Sequence, residues 1–238
     1  MNKIIFCGLV FICGLMAQCT GSDMANGLGT EGLILNPGQC LPDVGDRYIY
    51  PVATGEETLE LPTADKVKSL STYALICSVL DHPQLWYVYA SSDSSPVASF
   101  DRFVFSIHNS VPEFEKREDR IQALLSYYSA VSHDCYNSLD TWEQMTFSAQ
   151  LSVLELWFIR DGILLSMSSG QKKQAVSLLL HKHQQREDYA SLIAMAWIMY
   201  QDSYSPIMEY YKDGTPVKEH LTVYKRDDVI AFAEKYTH

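Results

Sequence analysis

From Thr63 onward, apolar residues return every three or four positions, the spacing that places them on one face of a helix. Thr63 offers a side-chain cap for a helix from Ala64, with Val67, Leu70, Ala74 and Cys77 along its buried stripe. This helix ends before Asp81-His82-Pro83, and the proline opens a short second helix through Leu85 and Trp86. After a loop from Ser91 to Pro96, the stretch Ala98 to His108 sets Phe100, Phe103, Val104 and Ile107 on one side. Ser110-Val111-Pro112-Glu113 has the pattern of a capping box, in which serine and glutamate satisfy each other's exposed amides. The helix behind it turns Phe114, Ile121, Leu124, Leu125, Tyr128 and Val131 inward. It leaves Glu115, Lys116, Arg117, Glu118, Asp119 and Arg120 as a mostly solvated face of mixed charge.

A second capping box is expected at Thr141-Trp142-Glu143-Gln144, opening the longest apolar segment. Phe147, Leu151, Leu154, Phe158 and Leu165 form one stripe, and Val153, Leu156, Trp157 and Ile159 fill the remaining sides. A helix apolar nearly all round belongs at the centre of a fold. Arg160-Asp161-Gly162 interrupts the segment, so it does not read as a membrane span, and Ser169-Gly170 closes it. Two more helices follow, from Gln171 to about Gln185 and from Glu187 to Gln201, and Pro206 ends that block. The tail reads differently. Ile207 to Lys212 and Thr215 to Tyr224 flank Asp213-Gly214, a favoured two-residue turn, and so form a candidate β-hairpin. Asp227 caps a final helix through Val229, Ile230, Phe232 and Ala233.

The expected fold is therefore all-α. Short connections between amphipathic helices suit either a compact bundle or a short solenoid-like array, and periodicity alone does not separate the two.

The start of the chain has another character. Lys3 precedes an apolar run from Ile4 to Ala17, about 14 residues, the size of a signal-peptide core. A permanent membrane helix needs about 20. The run ends Leu15-Met16-Ala17-Gln18-Cys19, which resembles the lipobox of bacterial lipoproteins, where the cysteine thiol is acylated and becomes the new N-terminus. Gln18 departs from that pattern, because the position before the cysteine is usually glycine, alanine or serine. Cleavage after Ala17 by ordinary signal peptidase is the alternative, and would release a soluble periplasmic or secreted protein. Acyl chains contribute about 0.8 kcal/mol per buried methylene, so several chains on Cys19 would hold the protein to a membrane durably. The expected division is a signal peptide over residues 1–18, a flexible tether over 19–38, and one helical domain over 39–238. An irregular arm over 39–62 opens that domain, with one short β-type stretch, Tyr48-Ile49-Tyr50-Pro51-Val52.

Charge narrows the partners. Losing the signal removes Lys3 from the 18 basic residues and none of the 29 acidic ones, which moves the formal charge from -11 to about -12. Nucleic acid is excluded as a partner on this basis, since phosphate binding relies on clustered Lys and Arg. Of the 6 cysteines, Cys19, Cys40, Cys77 and Cys135 survive processing. With Cys19 acylated, three remain and at least one is a free thiol; Cys77, in a helical stripe, reads as a small core residue. No pair has CxxC spacing.

Tyr50-Pro51-Val52, Ser71-Thr72 with Leu75, Asp81-His82-Pro83, and Glu115 to Asp119 with Leu125 resemble a pattern in exported helical proteins of bacteria. The resemblance covers about half the chain and implies export and a helical fold, with no activity attached.

Chemistry is sparse. His181-Lys182-His183 has ligand-like spacing, but two positions on a helix lie about 200° apart around the axis, so both rings cannot reach one metal, and surface histidines are expected. His133-Asp134-Cys135 sets three reactive types side by side, although sequence neighbours rarely face one site. Gly27-Leu28-Gly29 has no strand before it and no helix after it, as a phosphate loop would need. Glu155 and Asp161 lie in or beside the most apolar helix; Glu155 is expected to face out or to meet Arg160. The 15 tyrosines, with Trp86, Trp142, Trp157 and Trp197, have core spacing for the most part, with a sugar or peptide groove as the alternative. No catalytic, cofactor-binding or metal residue stands out. Cys19 is the one modification site. The sequence favours an exported, lipid-anchored envelope protein with an unassigned protein or peptide partner, acting as a non-enzymatic binding or assembly module. The alternatives are an envelope hydrolase without a linear motif and an acidic protein that binds a basic partner.

Overall fold

The computed structural model describes residues 33–51, 60–85, 88, 96–106, 109–187, 189–212 and 226–238. The signal peptide, Cys19, most of the tether, Val52, Trp86, Ile107, His108 and the turn and second strand expected at 213–224 lie outside them. Among the described residues there are 11 α-helices and no strand; a single isolated bridge joins Ile34 and Asp43. The helices, numbered in chain order, are α1 (Ala64–Ser69), α2 (Thr72–Leu80), α3 (Pro96–Ser106), α4 (Ser110–Phe114), α5 (Arg120–Ala130), α6 (Thr141–Trp157), α7 (Asp161–Leu164), α8 (Ser169–Gln185), α9 (Tyr189–Gln201), α10 (Ser205–Tyr210) and α11 (Arg226–Thr237).

The fold is all-α, and the packing makes it a bundle. α6 lies against α9 and α3, α8 against α5, α9 and α11, and α2 against α4 and α5. A solenoid would confine each helix to its neighbours along the chain. α6 is the centre, with Leu151, Val153, Leu154, Leu156, Trp157 and the following Phe158 and Ile159 all buried in one core. Each such side chain contributes about 1.5–3 kcal/mol by leaving water. The segment's expected stripe ends early, because Leu165 is 72% exposed. The turn at Arg160 rotates the chain before α7, so the periodicity does not carry through to that position.

Caps decide where helices start, and several starts differ from the expected ones. The expected helix from Ala64 through Cys77 is two helices. Thr63 does accept the Lys66 N–H (3.3 Å), but Leu70 is extended and Ser71 begins afresh, accepting the Ala74 N–H. The Asp46 carboxylate takes the Ser71 N–H (2.8 Å) and hydroxyl (3.0 Å), while Arg117 donates to the carbonyls of Lys68 and Leu70. These partners satisfy the backbone groups that the break leaves open. α4 takes in Ser110 itself, with Asn109 as cap residue and no side-chain cap bond, so the box expected at Ser110 does not form. The box at α6 is shifted by one residue: Asp140 accepts the Glu143 N–H (2.8 Å) and Glu143 accepts the Asp140 N–H (2.9 Å). Gln144 is freed to donate to the carbonyls of Tyr136 and Leu139. Ser169 and Gly170 open α8 behind a Ser168–Gln171 box, where a terminator was expected.

The charged run 115–120 is solvated at Lys116, Glu118 and Asp119, as expected, but several of its members also form a seam to other elements. Glu115 accepts from Arg160 (2.7 Å), Arg120 donates to Ser166 (2.8 Å) and the Gly162 carbonyl, and Asp119 accepts from Thr72 (2.8 Å). Gly162 matters here for space, since a Cβ would come within 2.8 Å of Glu115. Finally, Ile207 to Tyr210 lies in α10, so the first strand of the expected hairpin is helical. The preceding helix ends at Gln201, ahead of Pro206 as expected, and Pro206 then sits in the first turn of α10, where its missing N–H costs nothing.

Candidate functional site

The residues from Leu33 to Pro51 lie across the bundle without regular structure and are held to it at several points. Gly38 (φ +83) makes a turn that needs the left-handed backbone, with the Gln39 N–H donating to the Asn36 carbonyl (3.0 Å). A disulfide joins Cys40 to Cys135, 95 residues later, and Ser132 N–H donates to the Cys40 carbonyl (2.9 Å). The Tyr127 hydroxyl of α5 donates to the Pro42 carbonyl (3.0 Å), and the Cys77 thiol of α2 lies 3.8 Å from the same oxygen. Further on, the Tyr48 N–H donates to Ser78, and Tyr50 donates to the Ser78 carbonyl before stacking edge-on against His82.

Between this arm and the bundle lies an open cleft of about 450 Å³. Gly38, Cys40, Pro42, Asp43 and Arg47 form the arm side; Cys77, Asp81 and Tyr127 form the floor; Trp142, Glu143, Thr146, Phe147 and Gln150 of α6 form the far wall. Trp142 stands at the first turn of α6 and is 65% exposed, as is its helical neighbour Met145 at 61%. Arg47 bridges the two sides, with Nη1 3.3 Å from Asp43 and 3.2 Å from Asp81. With Glu143, the charged lining is three carboxylates to one cation.

Beside Asp81, the floor carries two uncharged donors, the Cys77 thiol and the Tyr127 phenol. Burial pushes the Cys77 thiol up to about 12, with Asp81 and Asp43 adding to it, and lifts the Tyr127 phenol well above its usual 10. Both remain protonated at neutral pH, so neither is an activated nucleophile. Burial also raises the Asp81 carboxyl, which Arg47 opposes. The arrangement is suited to binding: an exposed indole, polar groups at fixed points and a carboxylate pair.

The residues expected to matter from sequence fall elsewhere or take other roles. Cys135 is consumed by the disulfide, so it does not form a reactive group with His133 and Asp134. His133 packs edge-on against Phe147, behind the cleft wall, and burial together with Lys182 and Arg186 brings it down to about 4. The expectation of surface histidines at 181 and 183 is corrected for His183, which is buried and hydrogen-bonded to Ser191 (2.7 Å). Helix α8 packs against α5, α9 and α11, and His183 lies on the side that they cover. Lys182 between them is also buried, donates to the Val131 carbonyl, and is lowered to about 8 by that burial. Glu155 neither faces out nor meets Arg160. It is 1% exposed and accepts from Tyr128 (2.9 Å), while Arg160 turns to Glu115 and Asp101. Asp161 is exposed at the start of α7. Trp157 is in the core, and Trp197 is half-buried and stacked on Tyr200.

Among the described residues, no three His, Cys, Asp or Glu side chains stand close enough to hold a metal ion, and no helix is long and apolar enough to cross a membrane. Asp43, Arg47 and Asp81 were not singled out from the sequence. They lie 4 and 34 positions apart, and only the disulfide and the fold bring them together.

Comparison with family models, with curated proteins and with solved structures gives no match.

Proposed function

We propose that this chain is an exported envelope protein, anchored by acyl chains on Cys19, that acts as a non-enzymatic binding module with the arm-covered cleft as its binding site. The observation that carries the reading is the cleft itself, which combines an exposed Trp142, a carboxylate pair and a covalently fixed wall. An indole that leaves 65% of its surface in water is not there for the core, and aromatic side chains are typical anchors of recognition surfaces. The Cys40–Cys135 disulfide supports export, because such bonds persist in oxidising compartments and are rare in the cytosol. It keeps the arm in place without a ligand, so less ordering entropy is lost on binding. The thiol and phenol of the cleft are held protonated and offer the hydrolase alternative no nucleophile.

The test is photo-cross-linking in a bacterial host that exports the protein. Benzoylphenylalanine at Thr146, in the cleft wall, is expected to capture a discrete envelope partner; the same group at exposed Leu165 is expected not to. Equal labelling from both positions, or none from Thr146, overturns the reading of the cleft. For the anchor, intact mass of the wild type beside Cys19→Ala decides. An acylated mass lost in the variant supports lipidation, and a start at Gln18 in both removes it.

A further inference from the structure

Resting on that reading of the cleft, we propose that its ligand is a basic peptide segment. An arginine or lysine cation of that segment takes the place of Arg47 between Asp43 and Asp81, and its stem lies along Trp142.

The cleft already holds a cation of the right kind. One guanidinium nitrogen of Arg47 sits between two carboxylates, 3.3 Å from Asp43 and 3.2 Å from Asp81, so the pair is spaced to share a single cationic donor. Arg47 belongs to the arm and fills the site from within the chain. It is held loosely: its side chain is 38% exposed and each carboxylate 34%, and ion pairs that reach solvent are weak. An incoming guanidinium or ammonium can therefore exchange with it at little cost. After exchange Arg47 returns to water, where its charge is well solvated.

Two more features select a cation over other ligands. Glu143 at the rim adds a third negative charge beside Trp142, so an anion entering the cleft meets net repulsion. Trp142, exposed next to Glu143 in the cleft wall, supplies the ring type that attracts Lys and Arg most strongly and can cover their methylene stems. A purely apolar ligand would leave the carboxylates desolvated and unrewarded. Beyond the cleft, the formal charge of -11 draws basic partners toward the surface and raises the rate of encounter.

The experiment uses the oxidised protein and fluorescein-labelled decapeptides that share one Gly/Ser/Trp frame. A single position carries arginine, lysine, citrulline, leucine or glutamate, and binding is read by fluorescence polarisation. Citrulline keeps the shape of arginine and removes its charge, so the comparison needs no protein variant. The arginine peptide is expected to bind at least about tenfold more tightly than the citrulline peptide, the size of one charge-assisted contact. Its affinity is expected to fall as salt rises from 50 to 300 mM. Asp81→Asn and Trp142→Ala, each checked for an unchanged melting temperature, are expected to weaken it. Arg47→Gln, which removes the internal competitor, is expected to strengthen it by about three- to tenfold. Equal affinity for arginine and citrulline, with loss in Trp142→Ala, overturns the cationic assignment and leaves the cleft as a binding site. Binding of no peptide also overturns it, and the cross-link from position 146 then judges the cleft independently.

Discussion

Replacing Cys40 and Cys135 together by alanine cuts the covalent link between the arm and the bundle. The bond closes a loop of 95 residues. In the chain-entropy account, closing a loop of that length removes about 16 cal/mol/K from the unfolded ensemble, or about 4.7 kcal/mol at 25 °C. A typical domain is stable by only 5–15 kcal/mol, so the loss is a third or more of the total. Loss of the link also loosens one wall of the cleft, because Gly38 to Asp43 are then held by fewer contacts: Tyr127 to Pro42, Ser132 to Cys40 and the Ile34–Asp43 pair. The assay is urea unfolding by circular dichroism for wild type and double variant, with ligand or probe binding measured on both. The expected result is a drop of about 3–5 kcal/mol in unfolding free energy and weaker binding at the cleft. A drop below about 1 kcal/mol with binding unchanged would refute the argument, because the non-covalent contacts alone would then fix the arm.

Other outcomes follow from the same structure. His82 is buried against Tyr50 and Phe103, which lowers it from 6.5 to about 4. The unfolded chain then binds the proton first, so stability is full above pH 6.5 and falls as pH drops to about 4. The difference is worth about 3 kcal/mol, and His82→Phe is expected to flatten that acid limb in urea titrations run at several pH values. Gly162→Ala pushes a methyl group into Glu115 and off its Arg160 partner, with an expected loss of about 1–2 kcal/mol by thermal unfolding; no change would show that Glu115 moves freely. Tyr128→Phe removes a donor to the buried Glu155 carboxylate and is expected to cost about 1–3 kcal/mol, more than the same change at exposed Tyr189. Trp142→Ala is expected to leave the melting temperature within about 1–2 °C while reducing binding, since the ring is mostly in water.

Periodicity made the helical class and most of the core legible. Val67, Phe100, Leu124, Phe147 and Leu154 all face inward as their spacing implies. Boundaries were less so. Asp140 displaces the expected cap at Thr141, and Ser168 starts a helix where Ser169-Gly170 was expected to end one, because each meets a side chain three residues on that returns the hydrogen bond. The break at Ser71 depends on Asp46 and Arg117, which are distant in sequence, so no local pattern announces it. Ile207 to Tyr210 is helical and not a strand because Pro206, with its φ preset for a helix, starts α10 ahead of the Asp213-Gly214 turn signal. The site was nearly invisible for the same reason as the break. Asp43 and Asp81 are ordinary surface types until the arm folds back over α2. The cysteines gave the only sequence hint of that fold-back, and three of them did not say which two would pair.

The most direct test of the cleft as the binding site is an amide chemical-shift map of the ¹⁵N-labelled oxidised protein titrated with acetyl-Gly-Arg-Gly-amide. The account predicts saturable shifts at Gly38, Asp43 and Thr146 and at the Trp142 indole, with α8 and α11 silent. Shifts centred on α8 and α11, or none at millimolar peptide, would contradict it.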